Sequence, residues 1–235
     1  MRFALIGHPV AGSLSPVLFR AAYNGAYEYD LIDEVSFDDA WVRASVYDGF
    51  NVTAPFKTLV PAMVPLCDAS VRLSGCANTV VGGRCYNTDI DGVLGALADG
   101  GFFVPDGGRA LVVGSGGAAL AAWAALSPTM DVTFVARSAE KLSRYVDTPS
   151  FVPIGSPVPE ADVIVYTLPG TAPIPPGLPL ENAFVLEAEY KAPQLDGLCP
   201  RYISGRRWLL HQAVAAYRHF TGEEPDFPAM AAAIG

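Results

Sequence analysis

Ala110-Leu111-Val112-Val113-Gly114-Ser115-Gly116-Gly117-Ala118-Ala119 is the stretch that decides the fold. Its four apolar residues suit a strand buried on both faces. The glycines then end that strand, and small residues open an alanine-rich helix, so the segment fits G-x-G-x-x-A in the right context. Gly114 permits the tight turn, Gly116 lets backbone approach a pyrophosphate, and Ala119 lets the helix pack close to the strand. The helix start at Gly117 and Ala118 offers N–H donors and a partial positive charge to phosphate. The next strand, 132–136, runs into Arg137 and Ser138. An NAD site usually carries an acid at that place. A guanidinium with a neighbouring hydroxyl suits a 2′-phosphate instead, so NADP is the expected cofactor. The plainer alternative for Arg137 is a solvated side chain closing a strand.

Outward from this turn the alternation continues. A helix is expected over 138–146 and strands over 163–168 and 183–188. Strands alternating with helices imply a parallel sheet covered on both faces. Gly100, Gly101, Gly107 and Gly108 punctuate the chain before this unit. Upstream, a strand over 2–7 leads to a helix over 15–26, with Ser15 suited to cap it and Pro16 to its first turn. A strand over 27–35, a helix from Ser36 to about Tyr47, a short strand over 49–53 and a helix starting near Lys57 follow. Gly82-Gly83 marks a hairpin, and a helix over 90–99 stops at Gly100-Gly101. An amphipathic helix runs from Trp208 to about Phe220.

The 235 residues are 51% hydrophobic and 17% charged, which excludes disorder. A net charge of −9 repels phosphate backbones, so no nucleic-acid partner is expected. Between Arg109 and Asp131, 21 residues carry no charge, enough for a membrane span. The glycine turn interrupts that run, so a buried strand, turn and helix are expected, and no membrane. Cys67, Cys76, Cys85 and Cys199 form no C-x-x-C pair, and the N-terminal apolar run is too short for a signal segment. A reduced, cytoplasmic protein is the expectation. His8, His211 and His219 lack ligand spacing, so no metal is expected.

Two side chains invite acid–base chemistry. The chain has three lysines, and Lys57 follows the small and apolar segment Asn51-Val52-Thr53-Ala54-Pro55-Phe56. An ammonium in such surroundings can act as an acid or base, although a surface lysine opening a helix is the commoner case. Asp89, at the end of Asn87-Thr88-Asp89, reads as a cleft carboxylate, or else Thr88 or Asp89 simply caps the helix that begins at Ile90. Spacing alone does not pair the two. Ser13 and Ser15 could hold a carboxylate or cap the following helix.

Together these pieces resemble the shikimate dehydrogenase family. Gly7-His8-Pro9 to Ser13-Leu14-Ser15-Pro16 is similar to the family's G-x-P-x-x-x-S-x-S-P, and 51–57 to its N-V-T-x-P-x-K. Ala77-Asn78-Thr79, Asn87-Thr88-Asp89 with Gly92, Gly114 to Gly117, and Ala136-Arg137-Ser138 match further motifs. Gly205 with Leu209 and Gln212-Ala213 resembles the late G-x-x-x-L-x-x-Q-A. The resemblance implies reversible reduction of 3-dehydroshikimate to shikimate with NADPH, in the route to chorismate and the aromatic amino acids. It implies Lys57 and Asp89 as the catalytic pair. Ser13 and Ser15 would hold the substrate carboxylate, with Thr53, Asn78, Tyr190 and Gln212 at the rest of the substrate. Gly114, Gly116, Gly117, Ala118, Arg137, Ser138, Thr167 and Gly205 would hold the cofactor.

The chain also departs from the family pattern. It is short for the family. Val165-Tyr166-Thr167-Leu168-Pro169 stands where N-A-T-S is usual, with only Thr167 matching. Glu187 replaces an Asp, and Trp208 replaces a methionine near the nicotinamide.

The expected architecture is α/β: a substrate-binding domain of residues 1–100 and 208–235, a Rossmann NADP-binding domain of 101–207, and a cleft between them. The expected partner is a small-molecule substrate, and a homodimer is compatible with these readings. Three rivals stand beside this one. They are a quinate/shikimate dehydrogenase of broader specificity, a non-catalytic ligand-sensing homologue, and a structural module with decayed motifs.

Overall fold

The computed structural model describes residues 1–147 and 149–235. Its contacts divide the chain into two units, Met1–Thr88 with Leu210–Gly235, and Asp89–Leu209. The first begins with β1 (Arg2–Gly7), α1 (Ser15–Ala22), β2 (Glu28–Asp33), α2 (Phe37–Ala44) and β3 (Gly49–Val52). It continues with β4 (Leu66–Cys67), α3 (Ala69–Ser74), β5 (Thr79–Val81) and β6 (Arg84–Tyr86). One sheet joins these strands in the order β2-β1-β3-β5-β6-β4. The apolar run of β1 lies between parallel neighbours β2 and β3, and Phe3, Ala4 and Ile6 are fully buried there. β5 and β6 form the expected hairpin, with positive φ at Gly82 and Gly83, a conformation glycine adopts without steric cost.

The second unit holds α4 (Asp89–Asp99), β7 (Arg109–Val113), α5 (Gly117–Leu126), β8 (Asp131–Ala136), β9 (Ser150–Pro153), β10 (Val163–Tyr166), β11 (Phe184–Glu187) and β12 (Tyr202–Ile203). The final helices are α6 (Gly205–Thr221) and α7 (Phe227–Ile234). The six strands form a sheet in the order β12-β11-β10-β7-β8-β9, all parallel. Counted from β7, that is the 3-2-1-4-5-6 order of dinucleotide-binding sheets, read from the other edge. The uncharged 110–130 run is β7, a turn and the buried helix α5, as the glycines imply. Among the described residues no helix is long and apolar enough to cross a membrane.

Several elements differ from the sequence expectation. Ser15 does not cap α1. It is the first helical residue, and its N–H donates to Ser13 Oγ at 3.2 Å. That helix ends at Ala22 because Asn24 and Gly25 take positive φ, which breaks the helical hydrogen-bond ladder. No α-helix starts near Lys57. Only a 3₁₀ turn forms, Val60–Ala62, since Pro61 has no N–H to give a helix that began at Lys57. The helix expected over 138–146 is a 3₁₀ turn, Leu142–Arg144. Only Leu142 and Val146 are buried in that stretch, too little apolar contact to hold so short a helix. The sequence boundary at 100/101 also differs from the contact boundary at 88/89. α4 packs on α5 and approaches β11, so it clusters with the second unit.

The first unit closes through its C-terminal segment. Phe220 stacks on Phe3 at 4.8 Å, and Tyr217 meets Phe19 edge-on at 4.6 Å. Tyr217 also donates its hydroxyl to Ser15 O at 3.0 Å. Such rings contribute large buried apolar area with fixed geometry. His219 is likewise structural, stacked on Tyr86 at 3.8 Å.

Candidate active site

In the first unit the loops after β1 and β3 are neighbours because their strands are parallel and adjacent. Gly7 lets them meet. A Cβ there would lie 2.3 Å from Thr53 Cγ2 and 2.9 Å from Ala54 O, so a side chain has no room. The loop after β1 is fixed by Asp33, whose carboxylate takes His8 Nδ1 at 2.7 Å and the Val10 N–H at 3.1 Å. The His8 hydrogen bond, followed by that of Val10, holds the Asp33 carboxyl below its ordinary range. At the end of this loop Ser13 Oγ donates to Ser15 Oγ at 3.2 Å, so the two hydroxyls form one pair. Ser15 is buried and Ser13 is half-buried.

The loop after β3 carries Thr53 and Lys57, both half-buried. The Phe56 N–H donates to Thr53 O at 3.0 Å, and the Ala77 N–H donates to Lys57 O at 2.9 Å. The second bond ties the lysine segment to Ala77-Asn78-Thr79. Asn78 is nearly fully buried, and its Nδ2 donates to Gln212 Oε1 at 3.2 Å. Its Oδ1 accepts from the Thr88 N–H at 2.8 Å, Thr79 Oγ1 at 3.0 Å and Thr88 Oγ1 at 3.1 Å. Asn51, within buried β3, donates Nδ2 to Asn78 O and to Thr79 Oγ1, both at 3.1 Å, and accepts from the Tyr29 hydroxyl at 2.7 Å. Asn87 donates Nδ2 to Ser74 Oγ at 2.8 Å. Asp89 follows Thr88 directly as the first residue of α4 and is buried.

The second unit carries the glycine turn at the crossover of its sheet, between β7 and β10, where ligands of such sheets bind. Gly114 has φ 127°, and a Cβ there would lie 2.2 Å from Thr167 Oγ1. Thr167 closes the other side of the turn, donating its hydroxyl to Val113 O at 2.8 Å. Gly116 stands at the N-cap of α5 with no side-chain cap, and a Cβ there would meet nothing within 4 Å. Open space over a helix start without a side-chain cap fits the pyrophosphate of a dinucleotide. Ala118 lies in the first turn of α5. Arg137 and Ser138 are exposed immediately beyond β8, the strand next to β7.

Glu187, at the end of β11, is fully buried. It accepts from the Gln194 N–H at 2.7 Å, the Leu195 N–H at 3.1 Å and the Tyr202 hydroxyl at 3.0 Å. These bonds fold the loop that carries Tyr190, whose ring lies beneath Lys191 Nζ. Burial, then the neighbouring Glu187 charge, pushes the Tyr202 hydroxyl well above its ordinary pKa, so it stays a donor. Gly205 opens α6 against this strand end. A Cβ there would lie 2.5 Å from Glu187 O and 2.6 Å from Ala188 O. Trp208 is buried in the same helix. Among the described residues no group of three or more His, Cys, Asp and Glu is placed to hold a metal ion.

The predicted residues therefore separate by unit. Ser13, Ser15, Thr53, Lys57, Asn78 and Gln212 belong to the first unit, whereas Asp89, Tyr190 and the cofactor residues belong to the second. Sequence reasoning gave Asn51, Thr79 and Thr88 no part in binding. The available signal was burial. Asn51 interrupts the apolar strand Gly49-Phe50-Asn51-Val52, and a polar side chain there must find hydrogen-bond partners.

The model of the shikimate dehydrogenase substrate binding domain matches residues 5–80, and that of the shikimate 5′-dehydrogenase C-terminal domain matches residues 209–234. Shikimate dehydrogenase (NADP(+)) of Ignicoccus hospitalis is 30% identical, over 96% of this chain and 95% of the relative. That of Rubrobacter xylanophilus is 32% identical, over 98% and 94%. Among solved structures, shikimate dehydrogenase of Mycobacterium tuberculosis superimposes with a TM-score of 0.82 at 31% identity, over 99% of this chain and 98% of that one. Shikimate 5-dehydrogenase of Thermus thermophilus in complex with NADP(H) and shikimate gives 0.83 at 28% identity, over 100% and 98%.

Proposed function

The chain belongs to the shikimate dehydrogenase family, and we propose from that premise that it reversibly reduces 3-dehydroshikimate to shikimate with NADPH, using Lys57 and Asp89 as its catalytic pair. The observation that carries the substrate site is the Asn78–Gln212 contact. Two amides 134 residues apart in sequence meet in the same unit as the paired Ser13 and Ser15 hydroxyls.

Ser13 and Ser15 bind the substrate carboxylate and set the ring's orientation. Thr53, Asn78 and Gln212 hold ring hydroxyls, and Tyr190 completes the substrate contacts. Bound NADPH supplies the hydride that reduces C3. As the C3 carbonyl becomes an alcohol, negative charge grows on its oxygen. The Lys57 ammonium stabilises that charge and delivers the proton to the same oxygen. Asp89 orients the proton donor. Gly114, Gly116, Gly117, Ala118 and Thr167 would hold the pyrophosphate side of the cofactor, Arg137 and Ser138 would bind its 2′-phosphate, and Gly205 would be a further cofactor contact. The first unit is accordingly the substrate domain and the second the cofactor domain. A cytoplasmic setting belongs to the same reading and is supported by four free cysteines.

The deciding assay follows NADP⁺ reduction with shikimate, beside NAD⁺ and beside quinate. The expected result is turnover with shikimate and NADP⁺ at a kcat/KM above that of either substituted pair. Equal kcat/KM with quinate would favour the broader dehydrogenase. No turnover, with both ligands still bound, would favour a ligand sensor.

A further inference from the structure

The hydrogen bonds around Asn78 fix which end of its amide faces the substrate, and backbone groups make that assignment unambiguous. A backbone N–H can only donate. The atom 2.8 Å from the Thr88 N–H is therefore the Asn78 carbonyl oxygen, Oδ1. Thr79 and Thr88 add two hydroxyl donors to the same oxygen, at 3.0 and 3.1 Å. Thr79 Oγ1 is the acceptor toward Asn51 Nδ2, which leaves its own proton for Asn78 Oδ1. Asn51 is fixed in the same way, since the partner of its Nδ2 is the Asn78 backbone carbonyl, which can only accept. With Oδ1 held, Asn78 must turn Nδ2 toward Gln212. It meets Oε1 there, which turns the Gln212 amide nitrogen away from the contact. Thr79 and Thr88 are less than 2% exposed, so water does not compete for these bonds.

We infer that Thr79 and Thr88 are positioning residues that lock the Asn78 amide with its N–H outward, so that Asn78 and, through it, Gln212 offer the substrate hydrogen-bond donors. The inference rests on the proposed binding of shikimate at Asn78. Neither threonine has to touch the ligand. The substrate oxygen at this place must accept a hydrogen bond, and a hydroxyl or ketone oxygen does so. An amide free to flip would present its carbonyl for part of the time and would repel the oxygen lone pairs.

The test is a double-mutant cycle on KM for shikimate with saturating NADP⁺. Thr79→Val with Thr88→Val removes two of the three donors to Oδ1 at nearly constant volume. KM should rise by about three- to tenfold, with kcat within about twofold of wild type. In an Asn78→Ala background the same pair should change KM by less than about twofold, because the group it positions is gone. Thr79→Ser with Thr88→Ser should restore KM. Additive effects in the cycle, or a lower Tm with unchanged KM, would overturn the inference. If the valine pair does not fold, Asn78→Asp carries the test. Its carboxylate keeps the held oxygen but loses the outward donor, and protonation restores one. KM relative to wild type should then fall as pH is lowered, and a flat ratio would overturn the inference. A wild type inert toward shikimate would remove the parent reading and this one together. An active wild type with an additive cycle removes this one alone.

Discussion

Lys57 and Arg137 take their proposed roles from opposite surroundings, and their variants should fail in different ways. Lys57 is half-buried in a loop tied at its own carbonyl to Ala77. Removing its ammonium should leave that backbone bond intact. Lys57→Ala should lower kcat by roughly 10²–10⁴ while KM for shikimate changes far less, the usual consequence of losing a general acid. Steady-state kinetics checks this, and a variant that keeps most of its kcat would remove Lys57 from the chemistry. Arg137 is exposed at a strand end, so its loss should not disturb the core. Arg137→Ala should weaken NADP⁺ by about 1.5–3 kcal/mol, roughly 10- to 150-fold, and leave NAD⁺ nearly unchanged. The kcat/KM ratio for the two cofactors reads that difference, and an equal fall for both would return Arg137 to a plain surface residue. Both residues could be singled out because a scarce lysine and a strand-end cation announce themselves in the sequence. The threonines behind Asn78 were not legible. Their importance lies in which atom they face, and no spacing rule encodes that.

At the scale of elements, two glycines separate architecture from binding. Gly205 presses α6 against the end of β11, and a Cβ there meets two backbone oxygens that cannot swing aside. Gly205→Ala should destabilise the protein by about 1–3 kcal/mol, as overpacking does, and denaturant unfolding measures it. Gly116 has φ −91° and open space beside it. Gly116→Ala should stay within about 1 kcal/mol of wild type yet bind NADP⁺ at least about tenfold more weakly, because the methyl stands where the pyrophosphate must approach. Calorimetric titration beside the unfolding curve distinguishes these outcomes, and unchanged NADP⁺ affinity would detach the turn from the cofactor. The parallel strands and their glycine turn were readable since long apolar runs and punctuation are local signals. The helices expected at 57 and at 138–146 failed for a related reason. Each had a plausible start, but Pro61 stops the first and the second buries only Leu142 and Val146.

At the scale of the molecule, the two units should respond to different ligands. Shikimate should slow hydrogen exchange at Ser15, Thr53 and Asn78 in the first unit, and NADP⁺ at Gly116, Gly117 and Ala118 in the second. At about 100 times its Kd, either ligand should raise stability by roughly 2.7 kcal/mol. Protection by NADP⁺ confined to the first unit would reverse the domain roles. The domain boundary was only coarsely legible. Gly100-Gly101 is a conspicuous break, but α4 before it packs on α5 beyond it, and packing between distant segments leaves no mark at the break itself. The division also falls inside α6, between Leu209 and Leu210, so the first unit is built from two segments that flank the second in the chain. On the ribosome this inverts the usual order, in which domains mature from the N-terminus. The segment 89–209 is continuous and is synthesised before the residues that complete the first unit. The first 88 residues must wait, since Tyr217 and Phe220 belong to the core around Phe3 and Phe19 and are made only after the second unit. The half proposed to bind shikimate is begun before the second unit and completed after it, and a chain released after residue 209 should resist protease in its second unit alone.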